Sequence, residues 1–211
     1  MSNYRTEQEA FWAGDFGTAY ARRNDGPAII ASNVSLFARA LRRAGRVGSC
    51  LEFGANIGMN LQALHTLFPD MHRSAIEINA DAAEKLAALI GGENVYCGSI
   101  LEYPVSRQVD LAFAKGVLIH VDPESLPLVY DKMHAASRRW ILVCEYYNPV
   151  PVTVTYRGHE NRLYKRDFAG EMLDRFSQLR LADYGFVYRR DPAFPQDDVN
   201  WFLLEKRGSG T

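Results

Sequence analysis

An α/β fold with a mostly parallel sheet follows from two features of the sequence. From residue 49 onward, apolar runs of four to seven residues alternate with helical patterns of ten or more. The first of these runs leads into a turn punctuated by glycine, "CLEFGANIGMN" at residues 50–60. Such alternation builds βαβ units, and a glycine turn after the first strand is where sheets of this kind hold nucleotide-bearing ligands. With 211 residues, 47% of them hydrophobic, the chain suffices for one domain with a substantial core and falls short of two.

The elements are justified in chain order. The opening, "TEQEAFWAGDFGTAYARRND", mixes helix formers with Phe11, Trp12, Phe16 and Tyr20, and Gly14 and Gly17 interrupt it. A short helix, a glycine turn and a further helical turn are predicted. Ile29, Ile30, Val34, Phe37, Ala38 and Leu41 have helical spacing, and Gly45 closes that segment at the end of an N-terminal helical lid spanning residues 1–45. "SCLEF", "SAIEI", "NVYCG", "VDLAFAKGVLI" and "RWILVCEYY" read as five strands. "MNLQALHTLF", "DAAEKLAALI" and "PESLPLVYDKMHAA" read as the helices between them, with Pro127 in a first turn. The alternation stops after Glu145. Residues 146–167 read as a long aromatic and basic loop insertion stiffened by Pro149 and Pro151. Helical spacing resumes at Phe168, Met172, Leu173 and Phe176. The last stretch, "LRLADYGFVYRRDPAFPQDDVNWFLLEK", reads as an antiparallel pair of strands at one side of the sheet.

Charge and cysteine usage narrow the class of function. The 24 basic residues nearly balance 25 acidic ones, so no electrostatic footprint for nucleic acid or membrane is expected. No segment resembles a signal peptide or a membrane span, which makes a cytoplasmic protein the expectation. Cys50, Cys97 and Cys144 each fall in an apolar run and read as buried, reduced strand residues, too far apart for a zinc site. No metal is expected. The oligomeric state is open, a homodimer included.

The turn carries the chemistry. Gly54 allows positive φ and lets a cofactor lie against the backbone, and Gly58 permits close approach at the helix start. Asn56 stands where a three-glycine dinucleotide motif has its middle glycine. Glu52 lies near the end of the strand before the turn, where a buried carboxylate needs a partner such as a ligand's ammonium group. Glu77, 19 positions after Gly58 (77 − 58), closes the second strand and can accept two ribose hydroxyls. A pyrophosphate would meet Glu52 with like charge and Asn56 where it needs room. A sulfonium-bearing amino acid joined to adenosine meets neither obstacle.

These motifs resemble those of class I S-adenosylmethionine-dependent methyltransferases over about three quarters of the chain. The resemblance implies a Rossmann-like fold with a mostly parallel seven-stranded sheet, helices on both faces and a C-terminal antiparallel hairpin. It also implies S-adenosylmethionine as cofactor, its methionine part held by Glu52, Gly54 and Gly58 with Asn56 in the turn. Glu77 and the adjoining Ile78 would hold ribose. Ser99 and Ile100 in "CGSILEY" stand where the family often has an Asp beside adenine, and Lys115 lies in "AKGVLIHVDPE", which resembles the stretch beneath the methionine part. "FWAGDFGTAYARRN" and "EYYNPVPVTVTYRGHENRLYKRDFAGEML" resemble methylases associated with pseudaminic acid biosynthesis. That likeness implies that Tyr20, Arg23 and Asn24 close over the cofactor.

Ligands of such sheets bind beyond the carboxyl ends of the strands. His120 is the preferred general base, because an ordinary imidazole accepts protons near neutrality, and Glu145 is its rival. Tyr146, Tyr147 and Asn148 are expected to line an acceptor pocket, with Tyr147 close to the chemistry. Arg157, His159, Arg162, Lys165 and Arg166 fall within ten positions and suggest a clamp for phosphate or carboxylate. The expectation is methyl transfer to a small anionic metabolite, such as a nucleotide-linked or sialic-acid-like sugar, with oxygen the favoured acceptor over nitrogen or carbon. A nicotinamide oxidoreductase and a noncatalytic cofactor-binding partner protein remain the alternatives.

Overall fold

A computed structural model describes residues 4–23 and 25–207. Seven strands form one sheet: β1 (Ser49–Phe53), β2 (His72–Glu77), β3 (Val95–Cys97), β4 (Val109–Lys115), β5 (Ser137–Glu145), β8 (Leu179–Val187) and β9 (Val199–Lys206), in the order β3-β2-β1-β4-β5-β9-β8. The first five are parallel, and β9 runs antiparallel between β5 and β8. The remaining two strands, β6 (Val152–Tyr156) and β7 (His159–Lys165), pair in a separate antiparallel ribbon. The stretch expected to be a loop insertion is therefore mainly a hairpin. Its alternation, "VTVTY" against "NRLYK", is a strand pattern that the flanking prolines and the basic residues obscure.

Period-two alternation sends each strand's side chains into two cores. Leu111 and Phe113 of β4 and Leu142 and Cys144 of β5 face a core shared with α3 (Pro27–Ala40), α4 (Met59–Leu67) and α5 (Ala80–Ile90). Ala112, Ala114, Ile141 and Val143 face the other, with α6 (Leu126–Ala136) and α7 (Phe168–Arg175). Pro127 does sit in the first turn of α6, and Asp167 caps α7 by accepting from the Gly170 amide.

Three expectations need correction. The fourth strand stops at Lys115, because Gly116 takes φ +69° and the chain turns into a 3-10 turn at Leu118–His120. Cys97 is exposed, since β3 is the edge strand. The N-terminal segment forms α1 (Glu7–Ala13) and α2 (Asp15–Arg23), split at Gly14 alone. Gly17 lies inside α2, where an added Cβ would overlap the Trp12 carbonyl. Among the described residues no helix is long and apolar enough to cross a membrane.

Candidate functional site

The order of the strands reverses between β1 and β4, so the crossovers leave a crevice at the carboxyl ends there. A cavity of about 350 Å³ fills it, at the low end of the roughly 300–1,000 Å³ of small-molecule pockets. Its floor is the turn after β1 (Gly54, Ala55, Asn56), the end of β2 (Glu77, Ile78, Asn79), Ser99 and Ile100 after β3, and Lys115 to Gly116 after β4. Glu9, Trp12 and Tyr20 of the arm close one side, and Gln196 and Asp197 of the β8–β9 connection reach another.

The turn is held by backbone bonds to β2. The amides of Gly54 and Ala55 donate to the Ile76 carbonyl at 2.9 and 3.0 Å, and Asn56 takes φ +50°. That fold aims the Asn56 amide at Glu77 Oε2, 2.7 Å away, while Glu77 Oε1 accepts from the Asn79 amide at 2.8 Å. Burial raises the Glu77 pKa against these bonds. Gly54, at φ +73°, has Val117 methyls 2.8–2.9 Å from where a Cβ would stand. Gly58, outside the cavity lining, is pressed by Leu86 and Leu89 of α5.

Glu52 is fully buried and is not part of the cavity wall. Asn60, which is part of it, donates its Nδ2 to Glu52 Oε1 at 2.6 Å. Asn60 Oδ1 and Glu52 Oε2 are buried without partners. Burial pushes the Glu52 carboxyl up to about 8, opposed by Asn60 and Lys115. A carboxyl whose folded pKa lies above its unfolded one contributes most stability below the unfolded value, and that stability is lost as pH rises through the folded value. Glu52→Gln is therefore expected to leave the melting temperature unchanged near pH ~4 and to raise it relative to the parent near pH ~8. Parallel melting curves for the two proteins across that range would refute the raised pKa of the buried Glu52 carboxyl.

His120 ends the 3-10 turn and reaches the cavity, between the rings of Trp12 and Tyr156 at 4.6 and 4.8 Å. Its Nδ1 lies 2.6 Å from the Arg162 carbonyl, so Nδ1 carries the proton and Nε2 the lone pair. Burial pulls its pKa down to about 4, so the ring is neutral at neutral pH and a weaker base than an ordinary imidazole. Glu145 is buried outside the cavity wall, with Oε1 accepting the Val117 and Leu118 amides at 3.0 Å each. Burial pushes it up to about 7. Its position is that of a brace for the turn that carries His120.

The other sequence-derived candidates divide sharply. Tyr20, Gly54, Asn56, Glu77, Ile78, Ser99, Ile100, Lys115 and His120 line the cavity, and Asn24 lies outside the described residues. Arg23 sits over the Phe16 ring, away from the wall. Tyr147 packs on Phe202, while Tyr146 stands behind the wall and donates to Asp197 at 2.9 Å. Asn148 bonds the Val150 carbonyl. Of the basic cluster, Arg162 pairs with Glu7 and Arg166 with Glu171. Lys165 lies over the Tyr146 ring, His159 packs on Phe11, and Arg157 is exposed at the hairpin tip with φ +50°. None of these five lines the cavity. Strand pairing turned the cluster away from the cavity lining, and its half-buried Arg162 and Arg166 tie the hairpin to the arm and α7.

Several wall residues went unseen in the sequence. Asn79 caps α5 through Ala82 and donates its Nδ2 among the carbonyls of Ala13 and Gly14 and the Thr18 hydroxyl, tying the arm to β2. An Asn before "ADAAEKL" is a readable cap signal; its second role is not. Glu9 closes a capping box with Thr6 and also accepts from the Ser99 hydroxyl. Gln196 and Asp197 carry no local signal at all.

No family model matches the sequence, and no curated protein matches it. Solved structures do. The chain resembles a Burkholderia thailandensis 1,6-didemethyltoxoflavin-N1-methyltransferase with bound 1,6-didemethyltoxoflavin and S-adenosylhomocysteine (TM-score 0.71, 16% identity, 99% of this chain and 93% of that one). It also resembles the magnesium protoporphyrin IX methyltransferase of Synechocystis with bound SAM (TM-score 0.68, 12% identity, 98% and 100%). A third likeness is to a mitomycin 7-O-methyltransferase (TM-score 0.68, 14% identity), of whose length this chain spans 61%. At these identities the likeness is one of fold.

Proposed function

We propose that this chain transfers the methyl group of S-adenosylmethionine to a small acceptor bound in the same cavity. The observation that carries this reading is the turn-to-strand constellation. Glu77 is fixed by two backbone amides, each oxygen keeping a lone pair for a ribose hydroxyl. Asn60 presents a buried, partnerless Oδ1 that suits an ammonium group, with Glu52 behind it. Ile78 and Ile100 offer apolar surface for adenine beside Ser99. The resemblance in fold to methyltransferases, two of them solved with S-adenosylhomocysteine or SAM, supports the same cofactor.

A nicotinamide dinucleotide fits less well. Among the described residues, Glu9, Glu77, Asp122 and Asp197 line the cavity against one ammonium, that of Lys115, and a diphosphate would face that wall with like charge. When bound, S-adenosylmethionine supplies an electrophilic methyl group. The chain's part is to align the acceptor, exclude water beneath the arm, and receive a proton where the acceptor carries one. His120, which lines the cavity and keeps a lone pair on Nε2, is the group proposed to receive it. The arm across the cavity and the modest volume favour a metabolite over a macromolecule. Oxygen is retained as the first-choice acceptor atom. The anionic, sugar-like acceptor has weaker support, since its proposed clamp points elsewhere.

Calorimetric titration with S-adenosylhomocysteine is expected to give a Kd on the order of micromolar, with no heat from NAD⁺ or NADH. Uptake of a nicotinamide dinucleotide in place of S-adenosylhomocysteine would overturn the reading.

A further inference from the structure

We infer that the acceptor end of the cavity recognises an amine-bearing small molecule, read by Gln196 and Asp197 on the connection between β8 and β9. The inference rests on the methyl-donor reading for the division of the cavity into two ends. Glu77, Asn60, Ser99 and the glycine turn belong to the cofactor end. Gln196 and Asp197 come from the opposite side of the molecule in sequence and have no part in that motif.

Gln196 is oriented by its own bond. Its Nε2 donates to the Ser32 carbonyl at 2.7 Å, which leaves Oε1 buried with no partner. Asn33, also buried, lines the cavity beside Ser32. The Asp197 carboxylate is steadied by the Tyr146 hydroxyl at 2.9 Å and keeps the rest of its accepting capacity. It is close enough to act on the Tyr20 phenol, which burial, Tyr156 and Asp197, in that order, push up to about 12. Tyr20 therefore stays a neutral ring. With Trp12, whose ring centre lies 5.2 Å away, it forms an aromatic wall.

At this end Gln196 Oε1 is a buried acceptor without a partner and Asp197 an exposed carboxylate, beside an aromatic wall in which Trp12 Nε1 is a buried donor without a partner. An ammonium group supplies several donors and a positive charge and is attracted to ring faces. A carboxylate or phosphate would leave Gln196 Oε1 unmatched and meet Asp197 with like charge. Apart from Lys115, no lysine or arginine among the described residues lines the cavity. Arg162 pairs with Glu7 through Nη2 and lies over Phe11, with its Nε buried and without a partner, Arg166 pairs with Glu171, Lys165 lies over Tyr146, and of the charges acting on Tyr20 those of Arg157 and Arg23 are the weakest. Lys115 sits on the floor, within range of Glu52 and Glu145. The assignment concerns the group recognised; the methyl can go to that nitrogen or to a hydroxyl beside it.

Two matched trios test it: tyramine, N-acetyltyramine and para-hydroxyphenylacetate, and glucosamine, N-acetylglucosamine and glucuronate. Each is titrated into the protein saturated with S-adenosylhomocysteine. In at least one trio the amine is expected to bind about tenfold tighter than its neutral and acidic counterparts. Asp197→Asn should erase that preference while leaving the S-adenosylhomocysteine Kd within about twofold, which also reports that the variant is folded. Tighter binding of the acids, an amine preference that survives Asp197→Asn, or no binding of either amine at millimolar concentration overturns the assignment and leaves the methyl-donor reading standing. Failure of S-adenosylhomocysteine to bind sinks the methyl-donor reading instead, and the same trios titrated into the free protein still read the amine preference.

Discussion

Glu77→Ala is expected to weaken S-adenosylhomocysteine binding by roughly 100-fold or more, equivalent to ~2.7 kcal/mol. Two losses add. The ribose hydroxyls lose a fixed acceptor, and the amides of Asn56 and Asn79 lose the carboxylate that holds the turn and the start of α5 in register. A buried donor left without a partner costs about 1–3 kcal/mol, so the melting temperature should fall as well. Glu77→Gln separates the contributions. It keeps the volume and one acceptor oxygen but sets an NH₂ against one of the two amides, so an intermediate loss is expected. Calorimetry with S-adenosylhomocysteine and thermal unfolding of both variants check this, and an affinity within threefold of the parent for Glu77→Ala would remove Glu77 from the cofactor site.

Gly54→Ala is expected to destabilise the protein by about 2–4 kcal/mol. The left-handed conformation costs an L-residue about 1–2 kcal/mol, and the new methyl would stand 2.8 Å from Val117 Cγ2, a stiff β-branched side chain. The turn must shift, and Glu77 loses its alignment with the Asn56 amide. Adding Val117→Ala should recover about half of the loss, since it relieves the contact and not the backbone strain. Denaturant unfolding of the single and double variants gives the answer. A Gly54→Ala protein as stable as its parent, or a double variant with no recovery, would contradict the geometry.

Gly54 also marks how far the sequence could be read. That it needed positive φ was legible, because a glycine between a strand end and a helix start has few other reasons to be there. Its steric reason was not. The crowding atom belongs to Val117, 63 residues later (117 − 54), and only the parallel pairing of β1 with β4 brings the two together. Glu77 was legible on the same local grounds. Glu52 was legible as a buried carboxylate, yet its placement behind Asn60 depends on how the first turn of α4 stacks on β1. The basic cluster at 157–166 looked like a site because charges close in sequence suggest charges close in space. In a strand ribbon neighbouring side chains diverge to opposite faces, and each took a different partner.

The residue pattern by itself determined the α/β class, the parallel core, the antiparallel end and the glycine turn after β1, because hydrophobic period and glycine placement act over a few residues. Tertiary structure alone decided what lines the far end of the cavity. Gln196, Asp197, Ser32 and Trp12 come from three distant segments, and their meeting depends on chain crossings and burial that no local pattern encodes. It also decided the protonation of His120, Glu52 and Glu145, since a titratable group's pKa is set by the dielectric and charges around it, and those are properties of the packed fold.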